Sequence, residues 1–164
     1  MRLWLMMAGV SALFVGCTSY DARVVRRPAE RLNPGDPVTI LVPKPGWYGE
    51  TCYRKSGKMT ADVLEEAFDR HARAISQTRG PLHMRPSASG YVVKPVILHW
   101  EERATEWSGK PDRIAVKIEV LNANDLSVRS SVVVKGKSKW FTFGGDHPQD
   151  LLAKPIRDYV DSLY

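Results

Sequence analysis

The spacing of apolar residues changes along this chain, and each spacing predicts a different element. Residues 3–15 are almost continuously apolar. Residues 38–42 form a short β-branched run between Pro37 and Pro43, the pattern of a strand buried on both faces or central in a sheet. From Thr60 onward Leu64, Phe68 and Ile75, with Val63 and Ala67 beside them, recur at a helical period. This predicts a helix from Thr60, whose hydroxyl would cap it, to about Ser76, with Gly80-Pro81 stopping the chain. His71 lies on the same stripe and reads as a satisfied, partly buried histidine.

Three β-rich segments follow at 91–100, 114–121 and 127–135. Pro95 gives the first an edge or a bulge. In the second, Ile114, Val116, Ile118 and Val120 share one face while Ala115, Lys117 and Glu119 take the other, and Asn122 to Asp125 supply the turn into the third. The end of the chain returns to a helical period through Leu151, Leu152, Ile156, Tyr159, Val160 and Leu163. An Asp146 cap starts this helix, and Pro155 predicts a break or kink within it. The order β, α, β, β, β, α predicts an α+β domain: a mainly antiparallel sheet of about four strands with two helices packed on one face.

The apolar N-terminus follows one positive charge, Arg2, and ends at Phe14-Val15-Gly16-Cys17. That order is a signal peptide's, and the run is shorter than the roughly 18 to 20 residues that cross a bilayer. The four residues resemble the lipobox of bacterial lipoproteins, with Phe14 where leucine is usual. Residues 1–16 are then a cleaved signal and Cys17 carries the lipid; an ordinary secreted protein with an incidental cysteine is the alternative. Three acyl chains would hold the protein permanently at a membrane. Thr18 in place of an aspartate points to the outer membrane, facing the periplasm.

Composition then divides the mature chain. Residues 17–36 hold Arg23, Arg26, Arg27 and Arg31 among Pro28, Pro34 and Gly35, which reads as an extended basic linker, either solvated or lying against anionic head groups. Residues 37–164 are long enough for one domain with a real core. The whole chain carries a formal charge of +6. In a periplasmic protein without a basic stripe of recognisable spacing, this excess does not imply nucleic acid. If Cys17 is acylated, Cys52 has no intramolecular partner, so it is either a shielded structural thiol or one open to intermolecular pairing.

Over the C-terminal half, His99-Trp100-Glu101-Glu102, then Thr105 to Asp112, then Trp140-Phe141-Thr142-Phe143-Gly144-Gly145-Asp146-His147-Pro148-Gln149-Asp150-Leu151-Leu152 resemble the bacterial lipoproteins of the domain of unknown function 4823 family. With the lipobox, the 38–42 strand and the helix after it, the likeness covers most of the mature chain. It implies a lipid-anchored compact domain and supplies no activity, substrate or catalytic residue.

Candidate chemistry is sparse. Lys135-Gly136-Lys137-Ser138 has the letters of a phosphate loop, but Ser131 stands where its first glycine belongs and no helix follows, so no nucleotide is expected. His71, His83, His99 and His147 are scattered, and no Gly-x-Ser-x-Gly elbow occurs. No metal and no cofactor beyond the covalent lipid on Cys17 is expected. Aromatic loops give the stronger signal: Trp47, Tyr48 and Trp107 form the candidate binding surface, while Trp100 and Phe141 read as core. The expectation is a membrane-anchored, non-enzymatic module of the cell envelope that binds another envelope protein or peptidoglycan. The alternative is an envelope hydrolase acting on cell-wall or lipid material through His99, His147 and acidic neighbours.

Overall fold

The computed structural model describes residues 18–80, 89–102, 110–138 and 147–164. Their elements are β1 (Ser19–Arg26), β2 (Val38–Leu41), β3 (Gly46–Tyr48), β4 (Thr51–Tyr53), α1 (Ser56–Phe68), β5 (Ile75–Thr78), β6 (Tyr91–Glu101), β7 (Arg113–Asn122), β8 (Val128–Lys137) and α2 (Asp150–Asp161). Six strands form one sheet in the order β1-β8-β7-β6-β2-β5, and β3 and β4 form a separate hairpin. β6, β7, β8 and β1 pair antiparallel, whereas β2 runs parallel to both β5 and β6.

The sheet is therefore mixed and six-stranded, which corrects the mainly antiparallel four-stranded sheet predicted from the sequence. The two additional strands have separate physical origins. β1 lies within the stretch read as an extended linker. Tyr20, Ala22 and Val24 alternate there with Asp21 and Arg23, and such charges suit an edge strand because they discourage a further chain from pairing. β5 lies where the helical stripe was extended through Ile75. α1 instead stops at Phe68, and the amides of His71 and Ala72 both turn back to the Phe68 carbonyl. The chain then pairs Ile75 to Thr78 with Val38 to Leu41. Parallel partners need a crossover between them, and α1 supplies it.

α1 also begins earlier than the Thr60 cap predicts. Ser56 opens the helix, and the Thr60 hydroxyl donates to the Ser56 carbonyl one turn back. α2 runs unbroken through Pro155, whose ring is buried, so the predicted break is absent. The predicted Asp146 cap lies outside the described residues.

Both helices cover one face of the sheet. Val93, Val116, Ile118, Val120, Val132 and Val134 point from the strands into a core with Leu64 and Phe68 of α1 and Leu152, Ile156 and Val160 of α2. Each such side chain contributes roughly 1.5–3 kcal/mol on burial, so this single layer dominates stability. The opposite face has a small cluster, Val92, Leu121 and Ala123, with Leu41, Leu126 and Val128 against it, and beyond this cluster it mixes charged side chains with Val96 and Val133.

Candidate binding surface

A hairpin presents two of the three aromatic residues singled out from the sequence. β3 and β4 pair Trp47 with Cys52 and Tyr48 with Thr51, and Gly49 opens the two-residue loop between them at a φ of +56°, a conformation that favours glycine. Ser56 fixes the base of the hairpin. Its hydroxyl accepts from the Gly46 amide at 2.8 Å and donates to the Tyr53 carbonyl at 2.7 Å, tying both strands to the start of α1. At Gly46 the backbone lies so close to β6 that a Cβ there would sit 2.7 Å from the Trp100 Cβ.

Held in this way, Trp47 and Tyr48 remain 60% and 47% exposed. The Tyr48 ring meets His99 edge-on at 5.4 Å between centroids. Trp107 and Phe141 lie outside the described residues, so their placement is not described. Trp100 is buried in the core, as the sequence suggested. Sequence reasoning missed Leu98, which is 54% exposed at the irregularity between Ile97 and His99. Pro95 signalled a bulge in this strand but not its position or the side chain it turns outward.

Cys52 is a half-buried free thiol across the hairpin from Trp47. His71, predicted as partly buried, stacks on Tyr164 at 4.3 Å and pairs with Asp161 at 2.9 Å, which joins the end of α1 to the end of α2.

Each histidine of the hydrolase alternative has its own acidic neighbour. His99 Nε2 lies 3.3 Å from Glu101, and His147 Nδ1 lies 3.6 Å from Glu102. Two cavities of about 300 and 430 Å³ lie elsewhere, between β1 and α2; Val24, Tyr159 and Ser162 line both. The phosphate-loop letters fall at the end of β8. Gly136 is packed beneath Leu151, and the Ser138 hydroxyl accepts from the Asp112 amide at 2.9 Å. Among the described residues no three His, Cys, Asp or Glu side chains group to hold a metal, and no helix is long and apolar enough to cross a membrane.

Two groups are shifted strongly by burial. The Tyr159 phenol is pushed up to about 12 by desolvation, partly opposed by its bond to Ser130. The Tyr164 phenol is pushed up to about 12 as well, by desolvation and then by Tyr91 and Asp36 nearby.

The fold is shared with solved structures. Two structures of the PelC dodecamer from Paraburkholderia phytofirmans match with a TM-score of 0.61 at 15% identity, covering 85% of this chain and 96% or 98% of theirs. A Xanthomonas campestris protein of the DUF330 family matches with a TM-score of 0.49 at 12% identity over 84% of this chain and 93% of its own. No curated protein matches the sequence. The family model "Domain of unknown function (DUF4823)" matches residues 30–163, nearly the whole of the folded part, and the chain belongs to that family.

Proposed function

We propose that this protein is an envelope lipoprotein, cleaved before Cys17, acylated there and held at the periplasmic face of the outer membrane. In this reading it acts as a non-enzymatic binding module. The Trp47–Tyr48 hairpin is its recognition element, and the ligand is another envelope protein or peptidoglycan. The observation that carries the reading is the combination of exposure with a fixed base: two large aromatic side chains stand in solvent on a hairpin tied by Ser56 and packed against Trp100. Rigid, exposed aromatics lose little side-chain entropy on binding and bury much area, which is why they anchor interfaces.

Two measurements test this. Intact mass of the membrane-extracted protein should show loss of residues 1–16 and addition of acyl chains, and a mass without them refutes the anchor. A photo-crosslinking residue in place of Trp47 should give an adduct with an envelope protein or peptidoglycan in cells, while the same group in place of Lys58 on α1 should not. No adduct from position 47, or equal adducts from both, refutes the hairpin as recognition element.

A further inference from the structure

The sheet face left uncovered by the helices is basic, and its charges follow from the strand register. Lys117 of β7 stands between Val96 of β6 and Val133 of β8, and Val133 in turn faces Arg23 of β1. In the neighbouring rows Lys94 faces Glu119, and Lys135 stands between Ala115 and Asp21. At the end of the sheet Arg113 stands between Glu101 and Lys137. Side chains alternate across a strand, and the intervening Ile114, Val116, Ile118, Val132 and Val134 enter the core, so these charges lie together on the open face.

The acids do not cancel the bases. Glu119 is shared by Lys117 at 2.6 Å and Lys94 at 3.7 Å, and Glu101 lies 4.0 Å from Arg113. Asp21, the third acid, faces Lys135, while Arg23 faces Val133 and Lys137 faces Ser19, so neither of these two has an acid across the strand pair. The surplus is positive, and it surrounds the partly exposed Val96.

The chain itself indicates which anion would meet this face. β1 begins at Ser19, two residues after Cys17, so the lipid-bearing residue lies within about 7 Å of the sheet along the backbone. Arg23 is about 13 Å farther along β1, and Lys94 is three strands across, about 14 Å away. A membrane that holds Cys17 is therefore within reach of the whole basic face without a long tether. We propose that this open sheet face lies against anionic lipid head groups and sets the orientation of the domain on the membrane. This rests on the reading that Cys17 is acylated.

The test uses the mature protein extracted with its lipid and inserted by that anchor into vesicles of phosphatidylcholine alone or with phosphatidylglycerol. Amine labelling read by mass spectrometry compares Lys94, Lys117 and Lys135 on the open face with Lys58 and Lys154 on the helices. The side chains of Lys94 and Lys58 are 51% and 53% exposed, so these two start from similar accessibility. The expected result is labelling about fivefold slower at the open-face lysines when phosphatidylglycerol is present, no change at Lys58 and Lys154, and loss of the difference in 1 M salt, where the Debye length falls to about 3 Å.

Equal labelling in both compositions overturns the proposal and leaves the anchor standing. Slower labelling on the helices, or protection that grows with protein density in phosphatidylcholine, overturns it too, the latter by showing a second copy on the face. If intact mass shows no acyl chain, the anchor reading fails separately, and co-sedimentation with phosphatidylglycerol vesicles then tests the face alone. There Arg23→Glu with Lys135→Glu should weaken binding about a hundredfold while the thermal midpoint is held. Unchanged binding by this folded variant overturns the proposal.

Discussion

Gly136→Ala tests how closely α2 lies on the sheet. A Cβ at this position would stand 2.6 Å from the Leu151 Cβ, 3.1 Å from the Ile114 Cγ2 and 3.3 Å from the Leu151 carbonyl oxygen. Carbon atoms in contact prefer about 3.5–4.0 Å, so α2 must lift by roughly 1 Å at its first turn. The nearest obstacle is a Cβ and another is backbone, neither of which can rotate away; only the Ile114 methyl could give. Lifting this turn also loosens Leu152 and Ile156, which are fully buried beneath the same helix. Overpacking of this kind costs about 1–3 kcal/mol, and replacing glycine returns about 0.4–1 kcal/mol through the unfolded chain. Mid-range values leave a net loss of about 1 kcal/mol, which lowers the thermal midpoint by roughly 2–5 °C in a domain of this size. Circular dichroism melts and urea titrations with an unchanged m-value would measure it. An unchanged or raised midpoint would refute the contact between α2 and β8.

The Tyr159 hydroxyl donates to Ser130 Oγ at 2.9 Å, and Ser130 donates to the Arg26 carbonyl at 3.0 Å. Tyr159→Phe should therefore cost about 1 kcal/mol and speed amide exchange in residues 19–26; unaltered exchange there would show that β1 is held without it. Both Tyr159 and Tyr164 ionise less readily folded than unfolded, so their contribution to stability is complete below pH 10 and falls between about pH 10 and 12. Tyr159→Phe should remove a phenolate absorbance component that titrates well above pH 10 and should flatten the alkaline decline; loss of a component that titrates near pH 10 would contradict this. The Glu119 carboxyl is held below its ordinary value by its bond to Lys117. Its contribution is present above about pH 4.5 and lost as pH falls through the lowered value, so Glu119→Gln should make the acid decline shallower, by less than about 1 kcal/mol. Trp47→Ala should leave stability within about 0.5 kcal/mol, since its side chain is mostly solvated; a larger loss would make it a packing residue.

What could be read from the sequence depended on how strongly burial imprints a period. β7 alternates cleanly because one face enters the core and the other stays polar, and its Ile114, Val116, Ile118 and Val120 fall where the pattern places them. The turn after it is legible too, since the Asn122 and Asp125 side chains accept from the amides two residues on. β1 has no buried residue to imprint a period, and its arginines mimic a linker. Its signal was the alternation of Tyr20, Ala22 and Val24, outweighed by charge. β5 is four residues long, too short to establish a period against the helical stripe ahead of it. At the candidate surface, Trp47 and Tyr48 stand out by residue type. Their fixed presentation depends on Ser56, a helix-start hydroxyl ten residues from Gly46, and no local pattern discloses that bond.

The inclusion of β1 in the sheet changes what an anchor at Cys17 would mean mechanically. A linker of some twenty extended residues would let the domain range about 65 Å from the membrane, whereas the chain enters a hydrogen-bonded strand two residues after Cys17. One row of the sheet then fixes the relation of the anchor to the hairpin: Tyr20 of β1 faces Gly136, Gly136 faces Ile114, and Ile114 faces Trp100. Gly46, at the base of the hairpin, rests on that same Trp100. Three strand spacings, about 14 Å, separate the start of β1 from β6. The hairpin with Trp47 and Tyr48 thus shares the end of the sheet at which β1 begins. If Cys17 is acylated as proposed, these aromatics would stand close to the membrane surface, within reach of the exposed part of a membrane-embedded protein and less well placed for a cell-wall polymer held far above it.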